Sequence, residues 1–273
     1  MCGDMCSAAD DRIEALRRLY DGYVDTYRLQ DGALPRLMQL KRAHTGFVVK
    51  NAALIADGEG FGPLERETSL AAALLHDTGR YEQLKLYNTF RDSESVDHAV
   101  FSHDIVRERG WLDAAGVARP DAVLAAVLYH NRRELPEGLD AVTLAASQTV
   151  RDADKLDIFR VLQNEVDTTD WRNDSRAFWN LAVSAPPNPE VVSCIEAGRP
   201  VDYQAIKSLA DFVLIQVGWM ISGLAYATSR RVCAERGHLA YRRNFLHQLT
   251  DAQSVDRVCD LAERALAEGG RAG

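Results

Sequence analysis

Apolar residues recur at helical spacing along almost the whole chain, and the alternating apolar and polar residues that mark a β-strand are nearly absent. This pattern predicts an all-α fold. Breaks rich in glycine, proline and small polar residues divide the pattern, as in DGEGFGP at 57–63 and SAPPNPE at 184–190. Helices are predicted over residues 10–29, 34–56, 66–77, 96–109, 120–131, 140–168, 175–183, 203–234 and 251–267.

The size and apolar content of the chain bear on its domain organisation. With 273 residues, 47% of them hydrophobic, it can bury a large core, which excludes intrinsic disorder as a general description. The PPNP run at 186–189 is the best candidate for a boundary, with one helical unit before about 168 and another from 203. The run is short and an apolar helix follows it, so we expect the second unit to pack on the first as a single domain over 1–273.

Charge and apolar patterning exclude several kinds of partner. The 32 Lys and Arg against 40 Asp and Glu give a formal net charge of −8, which disfavours binding to extended nucleic acid or anionic lipid. The longest apolar stretch, 212–227, is shorter than the roughly 20 residues that a membrane-spanning helix needs. The N-terminal segment lacks the features of an export signal, and the five cysteines form no C-x-x-C pair. We therefore expect a cytoplasmic protein without a membrane partner, and leave a homodimer open.

Histidines are the strongest indication of chemistry. The chain lacks a phosphate-binding glycine loop, a G-x-S-x-G elbow and an H-E-x-x-H helix. Five of its seven histidines lie between positions 44 and 130, and four of these five occur in apolar helical surroundings, where each imidazole needs a hydrogen-bond partner or a metal ion. The five are His44, His76, His98, His103 and His130.

Acidic residues accompany these histidines. His76 and Asp77 are adjacent at the end of an apolar helix, where both side chains can turn toward one ion, and Gly79 is expected to end that helix in a left-handed cap. Asp152, Asp154 and Asp157 interrupt another apolar helix. Because a buried carboxylate is costly without a partner or a cation, at least one of the three should face a partner.

The order His44, His76-Asp77, His98, His130 and Asp154 resembles the HD-domain superfamily of metal-dependent phosphohydrolases, which is named for its adjacent His-Asp pair. The local strings LLHDTGRYEQ, SVDHAVFSHDIV, VLYHNRRELPEGLD and RDADKLDIFRV are similar to those of the family. The resemblance implies an HD-domain helical bundle over about 35–165 with a C-terminal helical extension over about 166–273.

The resemblance also implies a set of metal ligands. His44, His76, Asp77 and Asp154 match the ligands of a first ion. His98 and His130 match the positions that hold a second ion in two-metal members, with Asp77 as the bridge. Some of those members have a further histidine where this chain has Asn131, which puts occupancy of the second position in question. A mixture of imidazoles and carboxylates suits Mn, Fe, Co, Ni or Zn, and Mg stays open.

Further residues are candidates to assist this centre. Arg80 and Lys155, each close in sequence to a predicted ligand, could neutralise phosphoryl oxygens, so that Asp77, Arg80 and Lys155 are the expected catalytic residues. His103 is 140° from His98 on a helical wheel and is expected beside the site or on the surface, with a general-acid role as the alternative. Asp97 is interpreted as orienting an imidazole or as a solvated loop acid, and Asp152 as a structural partner.

Three functions are compatible with these residues. The first is hydrolysis of a small phosphomonoester, phosphodiester or nucleotide by a hydroxide that one or two divalent ions generate from bound water. The second is oxidation of a C–H bond at a mixed-valence di-iron centre, which some HD-type proteins build from the same six ligands. The third is a signalling or binding module without catalysis, although members of that kind lose ligands. Prevalence in the superfamily favours the enzyme that acts on a phosphorylated substrate.

Overall fold

The computed structural model describes the backbone of residues 2–173 and 181–269 and the side chains of 8–173 and 181–268. Within these ranges the fold is helical without strands, as the sequence predicts, and one isolated bridge joins Ala182 to Ser208. The first eight helices are α1 Cys2–Asp25, α2 Arg36–Gly58, α3 Pro63–Leu75, α4 Gly79–Tyr87, α5 His98–Glu108, α6 Trp111–Ala114, α7 Pro120–Tyr129 and α8 Ala141–Thr168. The others are α9 Pro189–Glu196, α10 Leu209–Gly218, α11 Ala227–Glu235, α12 His238–Leu249 and α13 Ser254–Gly269. None of the described helices has both the length and the apolar character needed to cross a membrane.

The chain forms two compact units, Met1–Asp154 and Lys155–Gly273. The division falls within α8 and not at the proline-rich run 186–189, because the first half of this helix takes part in one set of contacts and the second half in another. That the two units form one domain stays a prediction.

Helix α3 is the centre of the first unit. It packs against α1, α2 and α7, and its residues from Leu70 to Leu75 are all buried. The run Ala71, Ala72 and Ala73 carries only methyl side chains, which let the neighbouring helices approach closely. The helix starts with Pro63, whose fixed φ suits the first helical position, and it ends at Leu75, directly before His76 and Asp77. The His-Asp pair therefore lies at the end of the most buried helix of the unit.

Helix α4 was not predicted, and the expected role of Gly79 is wrong. Gly79 begins α4 and has no positive φ, so it does not form a left-handed cap. Its backbone instead packs against α5, where its N–H donates a 2.8 Å hydrogen bond to the Ser102 hydroxyl. A Cβ atom at this position would lie 2.7 Å from the Ser102 backbone nitrogen and 3.1 Å from the His98 carbonyl oxygen. Glycine is thus required by the close approach of two helices.

The replacement Gly79→Ala tests this contact. Since the atoms around the new methyl group belong to the backbone and cannot turn aside, α4 and α5 must separate, and we expect a loss of about 2 kcal/mol in the free energy of unfolding. Urea unfolding followed by circular dichroism measures the change. Gly22→Ala in α1 is the matched control, because nothing lies within 4 Å of its Cβ position. A Gly79→Ala variant as stable as this control would contradict the close packing.

The second unit differs most from the predicted helices. One helix was predicted over 203–234, but the chain forms α10, a π-helical turn at Trp219–Gly223 and then α11. Ser208 and Asp211 form a capping box that starts α10. Two glycines, which have low helix propensity, mark the turn, since Gly218 precedes it and Gly223 ends it. Helices α9 and α12 were missed. The helix predicted at 175–183 falls mostly on residues outside the described part of the chain, and 181–183 are not helical.

Arg242 organises the core of the second unit. Its side chain is fully buried, and its guanidinium donates hydrogen bonds to the Gln216 side chain at 2.6 Å and to the backbone carbonyls of Phe159 and His238 at 3.0 and 3.1 Å. The guanidinium also lies over the Phe159 ring, 4.5 Å from its centroid. Burial lowers the pKa of Arg242 to about 9, although neighbouring groups oppose this shift. One buried cation thus links α8, α10 and α12.

Candidate metal centre

The six predicted metal ligands come together in the first unit. His44 lies within α2, His76 and Asp77 follow α3, and His98 is the first residue of α5. His130 follows α7, and Asp154 lies in α8. The four imidazoles and Asp77 are buried, and Asp154 keeps 20% of its side chain exposed. The six side chains thus form a centre that is buried except on the side of Asp154.

Asp77 is shared by two groups of donor atoms. One group is His44, His76 and Asp77, the other is Asp77, His98 and His130, and in each the donor atoms lie within 4.8 Å of one another. Such groups of imidazoles and carboxylates can hold a metal ion. The arrangement resembles a pair of sites with one common carboxylate.

The two carboxylate oxygens of Asp77 face different groups. Its Oδ2 lies 3.7 Å from His44 Nε2 and 3.5 Å from His76 Nε2. Its Oδ1 lies 3.7 Å from His98 Nε2 and 4.0 Å from His130 Nε2. Each oxygen is therefore directed to one pair of imidazoles, which is the geometry that a bridging carboxylate needs.

Asp154 belongs to the first group. Its Oδ1 lies 3.1 Å from His44 Nε2 and 4.0 Å from His76 Nε2. The first group thus has two imidazoles and two carboxylates, and the second has two imidazoles and the shared carboxylate.

Three of the imidazoles have a defined tautomer. The Nδ1 atoms of His76 and His130 lie 2.9 and 2.7 Å from the carbonyl oxygens of Ala73 and Val127. His98 Nδ1 lies 2.5 Å from an Asp92 carboxylate oxygen. Carbonyl and carboxylate oxygens only accept, so in each neutral ring Nδ1 carries the proton and Nε2 presents a lone pair.

The donor atoms that point into the centre are suited to binding a cation. The buried His76 Nε2 has no hydrogen-bond partner in the described part of the chain. The Nε2 atoms of His98 and His130 lie 3.0 Å apart, so two lone pairs face each other. Two carboxylates border the same space. The facing lone pairs repel one another without a positive charge between them, and the mixed nitrogen and oxygen donors suit transition-metal ions.

Charge and burial set protonation states that favour metal binding. Burial alone raises the pKa of Asp77, but the charges of Lys41, His76 and Arg80 together lower it well below its usual range. The pKa of Asp154 is also lowered, because contact with His44 outweighs burial. Burial lowers the pKa of His76 and lowers that of His130 to about 3. Ionised carboxylates and neutral imidazoles are the forms that bind metal ions.

Two cations lie next to Asp77. The Lys41 ammonium donates a 2.6 Å hydrogen bond to Asp77 Oδ2, and the Nε of Arg80 lies 3.5 Å from Asp77 Oδ1. Both cations lie over the Phe90 ring, 5.5 and 5.7 Å from its centroid. Arg80 was predicted, whereas Lys41 was missed. Lys41 could have been predicted from its position three residues before His44 on α2, because residues at that spacing lie on the same face of a helix.

Lys155 and His103 have other contacts. The Lys155 ammonium donates a 2.8 Å hydrogen bond to the Gly223 carbonyl oxygen within the second unit, and its expected role in phosphate binding stays a prediction. The Nδ1 of His103 lies 3.0 Å from the Asp104 carboxylate, and His103 belongs to none of the groups of potential metal ligands among the described residues.

The carboxylate that contacts the Nδ1 of His98 is Asp92, which the sequence interpretation missed. Asp97 instead caps α5 by accepting hydrogen bonds from the backbone N–H groups of Ala99 and Val100. It also accepts a 2.9 Å hydrogen bond from the Asn131 side chain. Asp152 is buried, consistent with a structural position.

Comparison with known proteins agrees with this geometry. Residues 42–158 match the family described as HD domain, and the matched stretch contains all six predicted ligands. No curated protein and no solved structure matches the chain. HD domains bind divalent metal ions and occur mostly in metal-dependent hydrolases. Over residues 42–158 the chain is thus similar to an HD domain, which supports the resemblance to the HD-domain superfamily.

Proposed function

We propose that this protein is a metal-dependent phosphohydrolase that acts on a small phosphomonoester, phosphodiester or nucleotide. The observation that carries the proposal is the pair of donor groups that share Asp77, with a lysine and an arginine beside them. Such a site combines two features that phosphoryl transfer needs, which are a place for divalent cations and further positive charge for the phosphoryl oxygens.

The first ion would be held by His44, His76, Asp77 and Asp154, and a second by Asp77, His98 and His130. When bound, divalent cations lower the pKa of a coordinated water toward neutrality and stabilise negative charge on phosphoryl oxygens. Asp77 is the residue on which both ions would depend, because each of its oxygens faces one pair of imidazoles.

The imidazoles contribute by their fixed orientation. His76 and His130 donate from Nδ1 to carbonyl oxygens within hydrogen-bond distance, so their Nε2 lone pairs are directed inward before any ligand arrives. Burial lowers the pKa of both rings and so keeps them neutral. This arrangement reduces the reorganisation that ligand binding requires.

Lys41 and Arg80 would hold the phosphoryl group. They lie on opposite oxygens of Asp77 and on one aromatic ring, Phe90. A guanidinium and an ammonium both form strong charge-assisted hydrogen bonds with phosphate. In this proposal the Lys41 ammonium exchanges its contact with Asp77 for a phosphoryl oxygen when the ions and substrate bind.

The replacement Lys41→Met tests this role. We expect KM to rise about 10- to 100-fold with a smaller change in kcat, since a hydrogen bond from a charged group contributes about 1.5–3 kcal/mol. Steady-state kinetics with the metal-loaded protein measures both constants. Lys50→Met is the matched control, because Lys50 lies on the same helix and is exposed. A Lys41→Met variant with the KM of this control would remove Lys41 from substrate binding.

A phosphate-release screen tests the function itself. The protein is incubated with nucleotides, sugar phosphates and phosphodiesters in the presence of Mn, Co, Ni or Mg, and released phosphate is measured alongside elemental analysis. The proposal predicts metal-dependent release from at least one class. Tightly held iron with oxygen consumption that depends on an organic substrate would instead favour the oxidative alternative. Metal binding without either activity would favour a module that does not catalyse.

A further inference from the structure

His98 differs from His76 and His130 in the group that accepts the hydrogen bond from its Nδ1 atom. His76 and His130 each follow a helix, so the carbonyl three residues earlier is available to accept from Nδ1. His98 is the first residue of α5 and has no preceding helical turn. Its Nδ1 therefore requires an acceptor from outside its own helix.

Asp92 supplies this acceptor. It is the first residue of the short 3-10 turn Asp92–Glu94, which lies between α4 and α5. One of its carboxylate oxygens, Oδ2, lies 2.5 Å from His98 Nδ1 and 3.4 Å from the His98 backbone nitrogen. The opposite ring nitrogen, Nε2, lies 3.0 Å from His130 Nε2 and 3.7 Å from Asp77 Oδ1. The carboxylate thus acts on the side of the ring that faces away from the centre.

The other oxygen of Asp92 is held as well. Asp92 Oδ1 accepts hydrogen bonds from Arg80 Nη1 at 2.9 Å and from Gln83 Nε2 at 3.0 Å. Gln83 is fully buried, and its amide also donates to the Ser95 hydroxyl at 2.8 Å. The carboxylate is consequently fixed from two sides, and it connects Arg80 with His98.

We propose that Asp92 is a positioning residue for the second metal ion, and that it acts by holding His98 in the tautomer and orientation that direct Nε2 to that ion. The proposal rests on the metal centre of the proposed function and not on its substrate. A carboxylate that accepts from the non-ligating nitrogen of a metal-binding histidine fixes the ring and increases its basicity. The same contact keeps Arg80 beside Asp77, so one side chain supports both the ion and a candidate phosphate-binding cation.

The test is the replacement of the carboxylate and a measurement of metal binding. Asp92→Asn and Asp92→Ala are titrated with Mn or Co, with the number of bound ions taken from elemental analysis and each Kd from competition with a chelator. We expect the Kd of the second ion to rise about 10- to 100-fold while the first is retained. Alanine should have the larger effect, because the asparagine side chain still offers an oxygen acceptor.

Asp97→Asn is the matched control. Asp97 lies next to His98 in sequence but caps α5, and asparagine is an equally good capping residue. This variant should bind both ions with the affinity of the original protein. Thermal unfolding of every variant shows whether the fold is retained, and a folded Asp92→Ala that binds one ion normally and the other weakly supports the proposal.

Three results would overturn the inference. They are two ions bound by Asp92→Ala with unchanged affinity, an equal loss in Asp97→Asn, and a single ion at most in the original protein. These outcomes are independent of hydrolysis. A protein that binds two ions and releases no phosphate would remove the proposed function and leave the role of Asp92 intact.

Discussion

Asp77→Ala is expected to lose both metal ions and to reduce turnover at least about a thousandfold, because the cations supply several kcal/mol of transition-state stabilisation. The reason lies in the two oxygens of this carboxylate, one of which faces His44 and His76 and the other His98 and His130. Removing the side chain takes away the one residue that the two groups of donor atoms share. Elemental analysis of the purified variant and phosphate release under saturating metal measure the two losses.

Asp113→Ala is the control for this replacement. Asp113 is an exposed aspartate of the same unit, and it should keep both metal content and turnover. Circular dichroism of Asp77→Ala shows whether the helical fold is retained, since Lys41 and Arg80 lose their common partner in this variant. Normal metal content in a folded Asp77→Ala protein would contradict the shared centre.

Removal of the ions by a chelator is expected to lower the thermal midpoint by at least about 10 °C, because a single ion present at a thousand times its Kd contributes about 4 kcal/mol. Without ions, the lone pairs on the Nε2 atoms of His98 and His130 face each other and His76 Nε2 lacks a hydrogen-bond partner within the described residues, all in a buried space. Turnover should disappear in the same titration and return when Mn, Co or another effective ion is added. Differential scanning calorimetry with and without chelator measures the shift.

The variant Asp77→Ala distinguishes this effect from unspecific action of the chelator. If it cannot hold the ions, its midpoint should be the same with and without chelator. A chelator that leaves the midpoint and turnover of the original protein unchanged would contradict a role for bound metal in either stability or activity.

Much of the fold and of the candidate site could be predicted from the sequence. Helical periodicity over nearly the whole chain predicted the all-α class, since apolar residues at this spacing form one buried face on a helix and not on a strand. The ordered histidines and aspartates predicted the HD-domain superfamily, because each stands in a characteristic local string, and the family match over residues 42–158 supports this prediction. His76 and Asp77 are also recognisable in physical terms, as polar residues at the end of an apolar helix whose burial requires a partner.

The contacts between helices could not be predicted. Gly79 was interpreted as the end of one helix, but its lack of a side chain lets α4 approach α5. The distance between two helices cannot be predicted from the residue pattern along one of them. Asp92 lies in the segment 91–97, which contains three acidic residues, and nothing in the sequence distinguishes it from Asp97. Lys41 could have been found from its spacing to His44. The division within α8 was missed because a continuous helix shows no break in sequence.

The central claim is that six side chains between His44 and Asp154 enclose divalent cations on both sides of one carboxylate. X-ray diffraction from crystals grown with Mn or Co, recorded at the absorption edge of the metal, tests it most directly. The expected result is two anomalous peaks about 3.5–4 Å apart, as in two-metal sites, with Asp77 between them, His44, His76 and Asp154 around one and His98 and His130 around the other. Metal peaks elsewhere, or none among these six residues, would contradict the account.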